Sequence, residues 1–142
     1  MLFADRFINQ GKIVDIIYRN GYKKTINAKS NEEQLLDKPI VVLVDGSSAS
    51  ASEILSGALK DYHRATLVGT KTFGKGLVQK VVPLPNSTGL NVTIARYLTP
   101  SGTDINKLGI KPDIEVDNVA TYAFDSKSDN QLNKAKEILN NK

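Results

Sequence analysis

The sequence predicts an α/β fold with a mixed sheet and flanking helices, and three observations carry that expectation. Ile40-Val41-Val42-Leu43-Val44 is an unbroken, largely β-branched run of the kind found in strands buried on both faces. Ala51, Ile54, Leu55, Ala58 and Leu59 follow at i, i+3, i+4, i+7 and i+8, the stripe of an amphipathic helix. Ala65 to Gly69 is a second short apolar run, so residues 39–69 make a strand–helix–strand unit and imply a parallel strand pair.

The remaining elements follow from local signals. Leu2 to Ile8 carries apolar residues at helical spacing and stops at Asn9-Gln10-Gly11, which reads as the end of a helix that starts upstream. Lys12 to Tyr18 and Tyr22 to Ala28 flank Asn20-Gly21, the dipeptide that best tolerates the positive backbone angles of a tight hairpin. A polar connector, Lys29 to Lys38, leads through Pro39 into the first buried strand. Beyond the strand–helix–strand unit, strands are expected at Val78 to Leu84 and Leu90 to Leu98, separated by the turn Pro85-Asn86-Ser87-Thr88-Gly89. Asp129 to Leu139 predicts a closing helix, with Leu132, Ala135 and Leu139 on one face and Asp129 near its start. There is no internal repeat or low-complexity segment.

Composition narrows the chemistry. The chain has 142 residues, of which 40% are hydrophobic and 24% charged, the profile of one ordinary globular domain. A net charge of +4 and 6% aromatic residues give no support to a nucleic-acid partner. With no cysteine, disulfides, thiolate metal sites and cysteine nucleophiles are excluded, and a single histidine, His63, excludes multi-histidine zinc sites. Asp104, Asp113, Glu115 and Asp117 do not follow the spacing of a calcium loop and read as solvated charge, so neither metal nor cofactor is expected. No apolar run approaches the ~18 residues of a membrane span, and Met1 to Gln10 lack the apolar core of a signal peptide.

The densest candidate site is Gly46-Ser47-Ser48-Ala49-Ser50-Ala51-Ser52-Glu53, between a buried strand's carboxyl end and a helix start. Ligands and reactive groups collect at that edge of α/β sheets, because the helix N-terminus offers unpaired N–H groups and partial positive charge. Two uses stay open on spacing alone: a nucleophilic serine beside oxyanion donors, or serines that cap the helix with Glu53 completing a capping box. His63 is a poor base for Ser50, since it lies thirteen positions further on, mostly along helix at ~1.5 Å per residue, which separates them by close to 20 Å. It reads as a surface residue at the helix exit. Lys75, flanked by Gly74 and Gly76 just beyond the second strand, lies on the same sheet edge as Ser50 and reads either as a solvated loop lysine or as a base. A lysine serves as a base only where burial disfavours its charged form. The loop lacks the glycine spacing and the following Ser/Thr of a phosphate-binding loop.

Several ordered blocks resemble the C-terminal processing peptidases, also called tail-specific proteases. They are Val41 to Val44, Gly46 to Ile54, Gly57 to Asp61, Val68 to Gln79, Thr93 to Gly102 and Gly109 to Asp113, and Asp129 to Leu139 is similar to the helix that closes the family's core. The resemblance implies a ClpP- and crotonase-like core, truncated at its N-terminus. It divides residues 1–38 (helix end and hairpin), 39–113 (Ser-Lys region) and 114–142 (C-terminal segment). It places the nucleophile on Ser50, the general base on Lys75, the residue that orients the lysine on Gln79 and an oxyanion donor on the backbone N–H of Ala51. Ser47, Ser48 and Ser52 rank below Ser50, and Asp61 is read as structural. Protein or peptide substrates with C-terminal tails, no nucleic acid, room for a homo-oligomer or a regulatory adaptor, and a cell-envelope setting, periplasmic or membrane-associated, follow from the same resemblance.

Complete family members carry upstream a PDZ domain and a glycine-rich loop that supplies the other oxyanion donor, and neither occurs in these residues. The chain therefore reads as part of a protease core, with little peptidase activity expected alone, since one oxyanion donor is worth ~10²–10³ in rate. Two other classes stay open: a non-catalytic binding or oligomerisation module, and a crotonase-like acyl-CoA enzyme, which would need oxyanion amides but no Ser-Lys pair.

Overall fold

The structure, a computed structural model, describes residues 3–30, 34–117 and 128–141. Residues 1–2 of the opening segment, 31–33 of the polar connector and 118–127 of the C-terminal segment lie outside the described residues. A 3₁₀ turn, Phe3–Arg6, precedes β1 (Lys12–Tyr18) and β2 (Lys23–Asn27). Then come β3 (Val41–Val44), α1 (Ala51–Asp61), β4 (Thr66–Gly69), β5 (Leu77–Leu84), β6 (Thr88–Leu98), β7 (Ile114–Glu115) and α2 (Asn130–Asn140).

Parallel and antiparallel pairing are both present and are segregated into two sheets. The antiparallel sheet has the order β2-β1-β6-β5, and the parallel sheet the order β3-β4-β7. The Asn20-Gly21 hairpin forms as expected, with Asp15 opposite Thr25 in the β1–β2 register. In the parallel sheet Val41 to Val44 run opposite Thr66 to Gly69, so both chains leave their strands at one edge. Helix α1 turns Ala58 and Leu59 into a core shared with Ile13, Leu67 and Ile105. Asp129 caps α2 by accepting from the Leu132 N–H at 2.9 Å, and Ala135 is buried beneath it.

Several details differ from the sequence reading. Among the described residues the opening segment is a 3₁₀ turn over Phe3–Arg6, and the chain turns at Phe7 before β1. Among the described residues β3 ends the order β3-β4-β7, and Leu43 is 40% exposed while Val44 is buried, so the run is not buried on both faces. In α2 the apolar face fades toward the end, where Leu139 is exposed. β7 has two residues and therefore no periodicity to read.

Candidate active site

Both loops that leave the parallel sheet at its carboxyl edge meet at the start of α1. The turn after β3 is closed by Asp45, whose carboxylate accepts from the N–H groups of Ser47 and Ser48 at 2.9 and 3.0 Å. The Ser48 hydroxyl also donates to that carboxylate, at 3.1 Å. The loop after β4 is stitched to this turn by Thr70 N–H to the Val44 carbonyl, 2.9 Å, and Phe73 N–H to the Ser48 carbonyl, 3.0 Å.

Ser50 is the N-cap of α1 and holds φ 56°, ψ −111°. A non-glycine residue in such a conformation costs about 1–3 kcal/mol and persists only where its surroundings impose it. The same kind of strained strand-to-helix turn presents a nucleophilic serine above an α/β sheet in other hydrolases. Ser47, Ser48 and Ser52 have no positive φ, and the Ser48 hydroxyl is engaged by its turn. Among the described residues the Ala51 N–H, at the helix's first position, donates to no protein acceptor, as expected where a helix leaves its first donors unpaired.

Glu53, one turn into α1, is completely buried. Its Oε2 accepts from the Ser50 N–H at 2.9 Å and from the Lys75 N–H at 2.8 Å. Its Oε1 accepts from the Thr72 hydroxyl at 2.5 Å and the Gly74 N–H at 2.7 Å. A single oxygen therefore holds the backbones of Ser50 and Lys75, twenty-five residues apart in sequence, within two hydrogen-bond lengths of each other. Thr72 is anchored in turn: its Oγ1 accepts from the Ile110 N–H at 2.7 Å. The sequence showed Glu53 only as a capping-box residue and did not single out Thr72. The signal available was an acidic residue three positions after Ser50 facing a glycine-rich loop.

The side chains are less closely joined than the backbones. The Lys75 side chain is exposed rather than buried as a base would need, and among the described residues no hydrogen bond links its Nζ to Ser50 Oγ. Gly74 has φ 88° and Gly76 lies so close to Asn106 that a Cβ would fall 2.3 Å from its backbone nitrogen, so these glycines shape the loop rather than bury the lysine. Gln79 is exposed on β5 opposite Thr93, and no hydrogen bond links it to Lys75. His63 is exposed at the helix exit with φ 51°. Asp61 accepts from the Ser101 N–H at 2.7 Å, a contact that secures the 99–103 turn.

The carboxylates away from this edge have other partners. Asp104 pairs with Arg96 at 3.0 Å, and Asp113 pairs with Lys60 at 2.9 Å and accepts from the Leu67 N–H at 2.8 Å. Partial burial opposes ionisation of Asp113, but Lys60 and the Leu67 N–H outweigh it and hold the carboxyl below its ordinary range. An apolar hollow of about 320 Å³ flanks the first turn of α1, lined by Phe3, Ala4, Ala51, Ser52, Ile54 and Leu55 among others.

Residues 1–116 match peptidase family S41. The chain is 44% identical over 138 residues to the carboxyl-terminal-processing protease of Synechocystis sp., covering 96% of this chain and 32% of that protein. It is 46% identical over 114 residues to the chloroplastic C-terminal processing peptidase of Tetradesmus obliquus, covering 80% of this chain and 24% of that one. The solved photosystem II D1 C-terminal processing protease superposes with a TM-score of 0.74 at 46% identity, over 80% of this chain and 29% of that chain. The chain thus spans about a quarter to a third of the length of these relatives.

Proposed function

Because the chain belongs to peptidase family S41, we propose that it forms the serine–lysine core of an endopeptidase that cleaves proteins near their C-termini. The observation that carries this reading is the strained backbone of Ser50 at a helix start, held by the same carboxylate oxygen that holds the Lys75 N–H. In the reaction, Lys75 in its neutral form takes the Ser50 hydroxyl proton while Oγ forms a bond to the peptide carbonyl carbon. The developing oxyanion is met by the Ala51 N–H and the positive end of α1. Lys75 then gives the proton to the leaving amine, the C–N bond breaks, and water releases the acyl group by the same steps in reverse role. Since Lys75 is exposed in this chain, substrate closing over it supplies the desolvation a lysine base needs. Gln79 orients the amine once it is covered, and the hollow beside Ala51 receives an apolar substrate side chain.

Residues 39–113 are the Ser-Lys region in this reading, with residues 1–38 and 114–142 framing it. The substrates are proteins with accessible C-terminal tails, a homo-oligomer or adaptor regulates access, and the setting is the cell envelope. No helix among the described residues is long and apolar enough to cross a membrane.

A serine-directed fluorophosphonate tests the proposal. Labelling is expected at Ser50 by peptide mapping and is expected to vanish in Ser50→Ala; label that survives on another serine would move the nucleophile and sink the assignment. The absence of an Nζ–Oγ hydrogen bond favours one rival, a binding module of the same fold. Labelling that stays absent when the chain is tested in the whole protein, with the second oxyanion donor supplied, would favour that rival.

A further inference from the structure

We infer that Glu53 is a positioning residue that sets the approach of Lys75 to Ser50, a role that rests on the serine–lysine reading above. A helix cap needs only one half of what Glu53 does. The Ser50 N–H contact at 2.9 Å completes that task, yet three further donors converge on the carboxylate from the loop after β4. The two oxygens divide the work. Oε2 joins the N-cap to Lys75, and Oε1 joins Thr72 to Gly74, so the loop is gripped on both sides of Phe73.

Which atoms are gripped matters as much as how many. Glu53 binds the backbone N–H of Lys75 and leaves its ammonium side chain unpaired with any carboxylate, among the described residues. An ion pair to Glu53 would hold the lysine in its charged form and remove it as a base. Neutral donors satisfy the buried carboxylate instead, so it fixes the lysine's Cα while leaving the amine free to move a proton. The brace extends one step further: the Ile110 N–H donates to Thr72 Oγ1 at 2.7 Å, and Thr72 Oγ1 donates to Glu53 Oε1 at 2.5 Å. Position of the 109–113 segment is thereby transmitted to the lysine loop.

The test pairs amide exchange, which needs no turnover, with probe kinetics. In Glu53→Gln one acceptor oxygen becomes an amide donor that opposes the loop N–H groups. Exchange at Gly74 and Lys75 is expected to rise at least about tenfold relative to Leu67 and Val68 in β4, as charge-assisted bonds are lost. The maximal rate of Ser50 labelling is expected to fall about 10²-fold with the probe's half-saturation unchanged, because misplacement by about 1 Å has that cost. A purely structural role predicts instead that exchange speeds up uniformly, or that the labelling rate stays at the wild-type value, and either result overturns the inference. Should Glu53→Gln not fold, Thr72→Val tests the same brace by removing one donor. It should loosen Gly74 and Lys75 selectively, Thr72→Ser should restore them, and wild-type exchange in Thr72→Val would equally overturn it. If labelling persists in Ser50→Ala, the peptidase reading fails while the exchange pattern still judges the brace.

Discussion

Two buried carboxylates show how differently this molecule handles the same chemical group. Asp15, in the β1–β2 hairpin, is 2% exposed and is matched by cations: Lys12 at 2.8 Å and Lys23 at 3.0 Å, with the Thr25 hydroxyl at 2.6 Å. Glu53 is fully buried and is matched by three backbone N–H groups and one hydroxyl. The hairpin carboxylate organises flexible, half-exposed side chains, so its energy depends on solvent and salt. The α1 carboxylate organises main chain, whose geometry a side-chain rotation cannot relax. Main chain held in this way fixes where the Ser50 and Lys75 side chains start without pairing the lysine with a charge.

Deleting the α1 carboxylate should therefore have the larger effect. Glu53→Ala strands four donors, two buried and two half-buried, and a buried donor left unpaired costs about 1–3 kcal/mol. Partial access of water to the opened site reduces the sum, and an overall loss of about 4 kcal/mol is expected in urea unfolding. A loss below about 1 kcal/mol would mean that the loop re-forms without its anchor. A smaller and opposite effect is expected at Ser50. Its φ is 56° with its N–H bound to the same carboxylate, and glycine adopts that angle without a Cβ penalty. Ser50→Gly should stabilise the fold by about 1 kcal/mol while ending probe labelling, whereas Ser50→Ala should end labelling with no such gain. Equal stability of the two variants would show that the strain is not real.

How much of this was legible beforehand follows the range of the interactions. The stripe Ala51, Ile54, Leu55, Ala58 and Leu59 and the Asn20-Gly21 turn are local patterns, and the helix and hairpin formed where they pointed. The strand–helix–strand order brought Ser50 and Lys75 to one sheet edge, because parallel strands end on the same side. The contacts of Glu53 were not legible, since its four donors come from positions 50, 72, 74 and 75 and only the first lies within reach of a capping rule. Likewise Leu43 reads as core from its β-branched neighbours, and only the tertiary packing shows it 40% exposed among the described residues. Whether Lys75 lies in solvent or inward stayed open for a related reason: flanking glycines permit a bend but do not choose its direction.

The smallest expected effect sharpens the comparison most cleanly. For Asp15, burial alone would raise the carboxyl, but Lys12, Thr25 and Lys23 outweigh it and lower it from 3.8 to about 2. A carboxyl lowered on folding contributes stability that is complete above the unfolded value and is lost as pH falls through the folded one. Against Asp15→Asn, the wild type should hold a constant advantage of about 1 kcal/mol near neutral pH, the modest figure reflecting lysines that remain in contact with water. That advantage should shrink as pH falls below 3.8 and close only below pH 2. Salt at about 1 M should also diminish it, because the Debye length there is only about 3 Å. The Glu53→Gln difference at neutral pH should resist the same salt, since neutral main-chain donors hold a carboxylate from which solvent ions are excluded. Parallel salt sensitivity of the two variants would mean that both carboxylates are held by the same kind of force, and that the distinction between a cation-matched hairpin and a backbone-matched site does not hold.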